Sequence, residues 1–181
     1  FGIANFSVTA HPGTPQPAAW APVAASAIGT HPQTRFPIYP GCPDPRIGAA
    51  ALHLANNDLS SPLQINRQAG GGTHLNNCPE ISGSARFHAS ATYVLHWDNQ
   101  GLSGTGNRLR VQMNDSNNGY TCDTALVIRD PNGQFWFNDD ISSSNYNARL
   151  NLGNAASGAY HIWIGTWAGN TCTARLDISR Y

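Results

Sequence analysis

Four oxygen-bearing side chains bracket one short segment of the sequence, and their spacing is suited to binding a cation. Asp123 lies before the segment Thr124–Phe137, and Asn138, Asp139 and Asp140 lie directly after it. Carboxylate and amide oxygens are the ligands that Ca²⁺ prefers. Three carboxylates in one small volume repel one another unless a positive charge neutralises them. The sequence therefore predicts a calcium site, with a water-exposed acidic loop as the alternative.

The segment between these side chains has the pattern of a β-hairpin, which would bring its two ends together. Leu126 and Ile128 would share one face of a first strand, and Phe135 and Phe137 one face of a second. Residues 130–133 have the sequence Asp-Pro-Asn-Gly, which is typical of a chain reversal.

Further groups near this hairpin either complete the cation site or compete with it. Backbone carbonyls from Asp140 to Ser143 would supply additional oxygens to reach the roughly six to eight that Ca²⁺ accepts. Arg149 is the competing neutraliser, and a salt bridge to it would make the carboxylates merely structural.

The composition excludes several classes of partner. The chain has 181 residues and no net charge, only 11% of its residues are charged, and all ten basic residues are Arg. We expect neither nucleic acid nor a membrane as partner, because both require a concentrated basic surface. The 18 Asn and 18 Gly favour strands and turns over helices. We expect a monomer.

The four cysteines predict two disulfides. Cys42, Cys78, Cys122 and Cys172 have no metal-binding spacing, so an oxidising compartment is indicated, secreted or periplasmic. Three pairings are possible. We favour Cys42–Cys78 and Cys122–Cys172, because the second pair lies at the starts of two predicted strands of one sheet. Four reduced core thiols are the alternative.

The arrangement of prolines and alternating residues predicts an all-β protein with two parts. Nine of the twelve prolines lie in residues 1–46, which we predict to be a Pro-rich extended arm or linker. Within it, a weak alternation of apolar residues predicts an edge strand at Phe1–Ala10. Residues 47–181 are predicted to form an antiparallel β-sandwich, jelly-roll-like, with a short helix at Ala49–Asn57. The predicted strands are Leu63–Arg67, Ala91–Trp97, Arg108–Asn114, Thr124–Arg129, Gln134–Asn138, Ala148–Leu152, Ala159–Thr166 and Thr173–Ile178.

A series of short motifs follows a distinctive order through residues 59–179. They are Ala69-Gly70-Gly71 with Cys78, Tyr93-Val94-Leu95, Asp123-Thr124-x-Leu126, Pro131-x-Gly133, Asn138-Asp139-Asp140, the Ser157–Thr166 strand and the Ala174–Ser179 strand. In order and spacing these motifs resemble the bacterial pre-peptidase C-terminal domain family. The resemblance implies an accessory module of an exported protein that binds Ca²⁺ through Asp123, Asn138, Asp139 and Asp140. It also implies attachment to an insoluble polymer, polysaccharide or collagen-like, or assistance to the export of a parent peptidase domain. The chain departs from the family at His88–Thr92, where many relatives have acidic residues before the Tyr.

The aromatic residues suggest a second kind of binding surface. Trp136 alternates out of phase with its Phe neighbours and Trp167 lies in a Gly-Asn loop, and these two together with Tyr146 are candidate ligand-binding residues. Two or three such rings exposed on one sheet face would form a flat platform for a sugar or a Pro-rich polymer. Burial in the core is the alternative for most aromatic side chains.

The sequence lacks the common catalytic motifs, which favours a protein without an enzymatic activity. The sequence has neither a Gly-x-Ser-x-Gly elbow nor a His-Glu-x-x-His motif, and Glu80 is its one Glu. The expected function is a non-catalytic, calcium-stabilised accessory module that tethers to a polymer. The alternative is a secreted hydrolase or inhibitor that acts through the arm and the loops.

Overall fold

Alternating apolar and polar side chains build most of the described chain into β-strands. The computed structural model describes residues 39–102 and 107–181. Within these ranges there are eleven strands and two short 3-10 helices, Asn56–Ser60 and Leu75–Asn77. The strands are β1 (Ala50–Ala55), β2 (Leu63–Ala69), β3 (Thr73–His74), β4 (Arg86–Phe87), β5 (Tyr93–Asp98), β6 (Arg108–Asn114), β7 (Thr124–Arg129), β8 (Phe135–Asn138), β9 (Arg149–Gly153), β10 (Gly158–Thr166) and β11 (Cys172–Arg180).

The strands form two sheets, and the expected β-sandwich is confirmed. In the first sheet the long strand β10 pairs with β5, β7 and β4, while β1, β8 and β3 extend the sheet from these three strands. The second sheet has the order β2-β11-β6-β9. Every pair of described strands is antiparallel except β1 with β5.

The main core lies between the two sheets and follows the period-two pattern of the sequence. In β6 every second residue is fully buried, and β5 and β11 alternate in the same way. The fully buried members with large side chains are Leu95, Leu109, Met113, Leu126, Ile128, Ile162, Ile164, Leu176 and Ile178. Burying side chains of this size is the main stabilising contribution to the sandwich.

A second apolar cluster lies on the other face of the first sheet and includes side chains of residues 70–92, which we call the covering segment. This segment also contributes β3 and β4 to the edge of the same sheet. Trp163, Val127 and Phe87 are buried in the cluster, and Phe135 and Phe137 pack against it, so the predicted shared face of these two phenylalanines is confirmed. Within the covering segment, the backbone of Gly71 lies so close to the backbone of residues 87 and 88 that a Cβ at Gly71 would overlap it.

The two disulfides join Cys42 to Cys78 and Cys122 to Cys172, the pairing favoured from the sequence. The reason given for the second pair was wrong, however. Cys122 lies just before β7 of the first sheet, whereas Cys172 begins β11 of the second sheet. The bridge therefore fastens the two layers of the sandwich to each other.

The predicted helix at 49–57 was wrong, because residues 50–55 form strand β1. Leu52 and Leu54 alternate with exposed residues and pack against the inter-sheet core. Their strand pairs in parallel with β5, which places Leu52 beside Leu95 and Leu54 beside Trp97. The helix propensity of Ala and Leu is a weak preference, and tertiary pairing with a buried strand overrides it.

The part of the predicted arm that the structure describes, residues 39–46, packs on the sandwich. Cys42 is fixed by its disulfide, and the Asp44 amide donates to the Ala89 carbonyl at 2.9 Å. Arg46 forms an ion pair with Asp44 at 2.8 Å. Residues 1–38, including the predicted edge strand Phe1–Ala10, lie outside the described residues. In the described ranges, no helix has both the length and the apolar character needed to cross a membrane.

Candidate functional site

The hairpin places the acidic residues that bracket it in the sequence at the same end of the first sheet, where the charges of Asp139 and Asp140 influence Asp123. Strands β7 and β8 pair in the register Leu126–Asn138 to Arg129–Phe135, and the turn closes with the Gly133 amide donating to the Asp130 carbonyl at 2.9 Å. Asp123 precedes the first strand, and Asp139 and Asp140 follow the second. We call this end of the sandwich, formed by Asp123, Asp139, Asp140 and Tyr146, the acidic end.

The carboxyl group of Asp123 lies in an unfavourable environment for a negative charge. Burial, together with the charges of Asp140 and Asp139, raises the pKa of Asp123 to about 6. Its Oδ1 atom is buried and has no hydrogen-bond partner among the described residues. Burial and the charge of Asp139 likewise raise the pKa of Asp140. The acidic end is therefore a place where a bound cation would relieve both repulsion and an unmet hydrogen-bonding need.

Arg149, the expected competitor for this site, is directed elsewhere. Its Nε donates to Oε1 of Gln112 at 2.7 Å, and its pKa is lowered by burial and by the charge of Arg110. The Arg149 backbone amide does contact the site, because it donates to Oδ1 of Asn138 at 2.9 Å. This hydrogen bond engages the amide oxygen that was expected to be a calcium ligand. No three His, Cys, Asp or Glu side chains in the described parts of the chain converge closely enough to hold a metal ion.

Two of the three candidate aromatic residues lie at the acidic end. The Trp167 amide donates to the carbonyl of Asp123 at 3.1 Å, and the Thr124 amide donates to the carbonyl of Tyr146 at 3.3 Å. The Tyr146 ring meets the exposed ring of Tyr120 edge to face, with centroids 5.0 Å apart. Trp167 is 50% exposed.

Trp136, the third candidate, lies at the far end of the same strands. It pairs with Ile128, whereas Thr124 pairs with Thr166 next to Trp167. Four positions along a strand correspond to about 13 Å. The three residues therefore do not form one flat platform, and Trp136 belongs to a separate site.

Trp136 forms one wall of a groove at the open edge of the sandwich, where β8 of one sheet faces the end of β9 in the other. The groove has a volume of about 190 Å³. Its lining comes from the hairpin turn, from the segment that joins β9 to β10, and from β10 itself. The lining residues are Asp130, Asn132, Gln134, Trp136, Leu152, Gly153, Asn154, Ala155, Ala156 and Tyr160.

Asp130 fixes both the turn and the indole ring. Its Oδ1 accepts the amides of Asn132 at 2.9 Å and Gln134 at 3.0 Å, and its Oδ2 accepts Nε1 of Trp136 at 3.1 Å. Trp136 is 36% exposed, so a ring that is already oriented presents part of its surface to the groove. Ordering this side chain in advance reduces the entropy that binding a ligand would cost.

Two titratable side chains, Asp130 and Tyr160, are among the described residues that line the groove. Burial, together with the charge of Asp130, raises the pKa of Tyr160 to about 12, and the Tyr160 hydroxyl donates to the Ala156 carbonyl at 2.9 Å. Tyr160 therefore stays protonated at neutral pH and holds the loop in place.

Of the residues that line the groove, only Trp136 was predicted from the sequence as a candidate ligand-binding residue. Residues 130–134 were recognised only as a turn, and Asn154–Ala156 only as a connection between strands. The available signal was the Asp-x-Asn-x-Gln-x-Trp spacing at 130–136, since a turn aspartate can also accept a nearby indole N–H.

One prediction concerns Gly158, the first residue of β10, whose backbone passes close to Pro131 in the hairpin turn. Gly158 has φ +145°, and a Cβ there would lie 2.7 Å from Cβ of Pro131 in the hairpin turn. We expect Gly158→Ala to lower the free energy of unfolding by about 1–3 kcal/mol, because backbone strain and this overlap add. Urea unfolding measures the change. Gly153→Ala, with no atom within 4 Å of its Cβ, is the control. Equal stability of the two variants would show that the Pro131 contact yields freely.

Comparisons with known proteins add little to this geometry. No family model matches the sequence, and no curated protein matches it. The chain is similar in structure to a periplasmic inhibitor of g-type lysozyme from Aeromonas hydrophila, with a TM-score of 0.38 and 11% sequence identity. The match covers 72% of this chain and 96% of the inhibitor.

Proposed function

We propose that the protein is an exported, non-catalytic β-sandwich module that binds one unit of a polysaccharide strand against Trp136. The observation that supports this most directly is the groove itself, in which an oriented and partly exposed indole stands beside exposed amide side chains. The two disulfides fit an oxidising environment outside the cytosol.

The chemistry of the groove matches that of a sugar ring. One face of a pyranose carries C–H groups that pack on an indole, while its hydroxyls need donors and acceptors around the edge. Asn132, Gln134 and Asn154 are exposed and supply both. At about 190 Å³, the groove is smaller than the roughly 300–1,000 Å³ of pockets that enclose a whole ligand. It therefore suits one unit of a chain that continues beyond it.

The test is binding of Trp136→Ala to a panel of insoluble polysaccharides and collagen. Removal of an aromatic anchor costs about 2 kcal/mol, so we expect roughly thirtyfold weaker binding to whichever polysaccharide retains the parent protein. We also expect a stability loss of about 1 kcal/mol, because the indole donates a hydrogen bond to Asp130. Pull-down isotherms and thermal unfolding measure the two effects.

Two further variants make this experiment decisive. Trp167→Ala removes an exposed indole at the acidic end and should leave binding unchanged. Trp136→Phe keeps an aromatic ring but loses the N–H donor, and should retain most of the affinity. Loss of binding in Trp167→Ala alone would place the site at the acidic end. Retention of the parent protein on collagen and on no polysaccharide would overturn the choice of ligand.

We propose, as a second function, that Ca²⁺ binds at the acidic end and stabilises the fold. The buried Oδ1 atom of Asp123, which lacks a hydrogen-bond partner among the described residues, and the raised pKa of its carboxyl favour this proposal. Asp123, Asp139 and Asp140 would hold the ion, whose contribution would be charge neutralisation rather than catalysis. The carboxylates would have to move together, because they do not converge at present.

These two properties support an accessory role like that implied by the resemblance to pre-peptidase C-terminal domains. In this proposal the module attaches a larger exported protein to an insoluble polymer. The rival proposal is a secreted hydrolase or inhibitor that acts through the arm and the loops, and residues 1–38 of that arm lie outside the described ranges. A truncated chain that begins at Tyr39 separates the two, because it should keep polysaccharide binding and would lose an arm-dependent activity.

A further inference from the structure

Three arginines lie together on the outer face of the second sheet, although the net charge of the whole chain is zero. On β6 the outward residues alternate with buried ones and include Arg108 and Arg110, and on β9 they include Arg149 and Asn151. The strand register places Arg110 beside Asn151 and Arg149 beside Gln112. Arg110 and Arg149 lie on a diagonal across the two strands, and the charge of Arg110 contributes, after burial, to the lowered pKa of Arg149. We call Arg108, Arg110 and Arg149 the arginine face.

Among the described residues, no carboxylate forms an ion pair with the arginine face. Asp177 is the one acidic residue in the four strands of this sheet, and it accepts from Arg175 at 2.7 and 3.0 Å and from Asn114 at 2.7 Å. Among the described residues, the two ion pairs are Arg46–Asp44 and Arg175–Asp177. The remaining parts of the sequence, residues 1–38 and 103–106, contain neither Asp nor Glu.

Neutral groups orient these guanidinium groups. Nε of Arg110 donates to Oδ1 of Asn151 at 2.9 Å, and Nε of Arg149 donates to Oε1 of Gln112 at 2.7 Å. Arg108 and Arg110 also stack on the Tyr181 ring, at 5.4 and 4.7 Å from its centroid. These amides engage only the Nε atoms of Arg110 and Arg149, so among the described residues the terminal N–H groups are left to donate to a ligand.

We propose that the arginine face binds the carboxylate groups of an acidic polysaccharide. A planar guanidinium donates two parallel hydrogen bonds to a carboxylate, and charge complementarity favours a ligand with several carboxylates in a row. The surface also presents the exposed amide of Asn151, which suits sugar hydroxyls. The oxidising compartment indicated by the disulfides favours an extracellular polymer over nucleic acid.

The arginine face begins at the rim of the Trp136 groove. Gly153 lines the groove and is the cross-strand partner of Arg108. A chain that leaves the groove over β9 therefore reaches the arginines. The inference goes beyond the proposed function and does not depend on it, because uronate binding by the arginines requires no contact with Trp136.

The experiment compares the parent protein with the triple variant Arg108→Gln/Arg110→Gln/Arg149→Gln on immobilised polygalacturonate in 50 mM salt. We expect the triple variant to bind about tenfold or more weakly, since several partly exposed ion pairs are lost. Parent binding should weaken as salt is raised and should vanish on the methyl-esterified polymer, which lacks the charges. The triple variant should bind a neutral polysaccharide as the parent does. Trp136→Ala should instead lose binding to the neutral polysaccharide and keep binding to polygalacturonate.

Controls distinguish this site from general charge attraction. Arg86→Gln removes an exposed arginine from the first sheet and should bind like the parent. Arg149→Lys keeps the charge but not the planar fork, and should weaken binding. If the triple variant unfolds, the double variant Arg108→Gln/Arg110→Gln replaces it. Equal losses in Arg86→Gln, tighter parent binding to single-stranded DNA than to polygalacturonate, or no parent binding to polygalacturonate would each overturn the proposal.

Discussion

Removal of the Cys122–Cys172 disulfide is expected to lower the free energy of unfolding by about 4 kcal/mol. The bridge spans 50 residues of sequence, and the loss of unfolded-state entropy on closing a loop of that length corresponds to about this value. It also fastens the first sheet to the second at the acidic end, where β7 and β11 begin. We expect a Cys122→Ala/Cys172→Ala variant to unfold as one cooperative unit at a much lower denaturant concentration.

The second disulfide provides the comparison. Cys42–Cys78 closes a loop of 36 residues, so the entropic value is similar, but Cys78 lies in the covering segment, in the cluster with Trp163. We expect Cys42→Ala/Cys78→Ala to release the covering segment first, seen as faster hydrogen exchange at residues 70–92 before global unfolding. Guanidinium unfolding and exchange measurements on both double variants test the assignment. Identical exchange patterns in the two variants would contradict it.

The second large effect is expected at Asp123, whose removal should stabilise the protein at neutral pH without calcium. The folded-state pKa of about 6 lies above the ordinary value of 3.8, so the folded state binds the proton more tightly than the unfolded state. The free energy of unfolding should therefore fall as pH rises from about 4 to about 6 and stay low above that. The shift corresponds to about 3 kcal/mol, which solvent screening reduces to about 1–2 kcal/mol. Asp123→Asn should remove this pH dependence.

Calcium is expected to reverse the order of stability. With Ca²⁺ in hundredfold excess over its dissociation constant, a site on the folded state adds about 2.7 kcal/mol. The parent protein should then melt at a higher temperature in Ca²⁺ than in chelator, whereas Asp123→Asn and Asp140→Ala should melt at the same temperature in both. Glu80→Gln, which removes an exposed carboxylate elsewhere, is the control.

The outcomes of this experiment separate two roles for Asp123. Equal melting of the parent in Ca²⁺ and chelator would eliminate the calcium site. If Asp123→Asn were nevertheless more stable than the parent in chelator at pH 7.5, the raised pKa would stand as an effect of burial and of the neighbouring Asp140 and Asp139 charges, without a calcium site. If Asp123→Asn were less stable than the parent in chelator, the Asp123 carboxyl would not lie in an environment that disfavours its negative charge.

Local pattern determined much of this protein. Period-two alternation located the strands that form the inter-sheet core, because each strand must bury one face, as in Tyr93–Asp98 and Arg108–Asn114. Asp-Pro-Asn-Gly at 130–133 predicted the hairpin, because these residue types fit a tight reversal. The even set of cysteines predicted two bridges. In each case the information lies within a few neighbouring residues or in a simple count.

Other features depend on which strands meet, and only the tertiary structure decided them. Residues 50–55 are a strand because β5 is available beside them, although Ala and Leu favour a helix. Arg149 turns away from Asp123 because its strand lies in the other sheet, where Gln112 accepts its Nε. Trp136 and Trp167 occupy opposite ends of one sheet, and the groove and the arginine face assemble residues from strands far apart in sequence. Strand order and register set these neighbours, and they follow from burial summed over the whole fold.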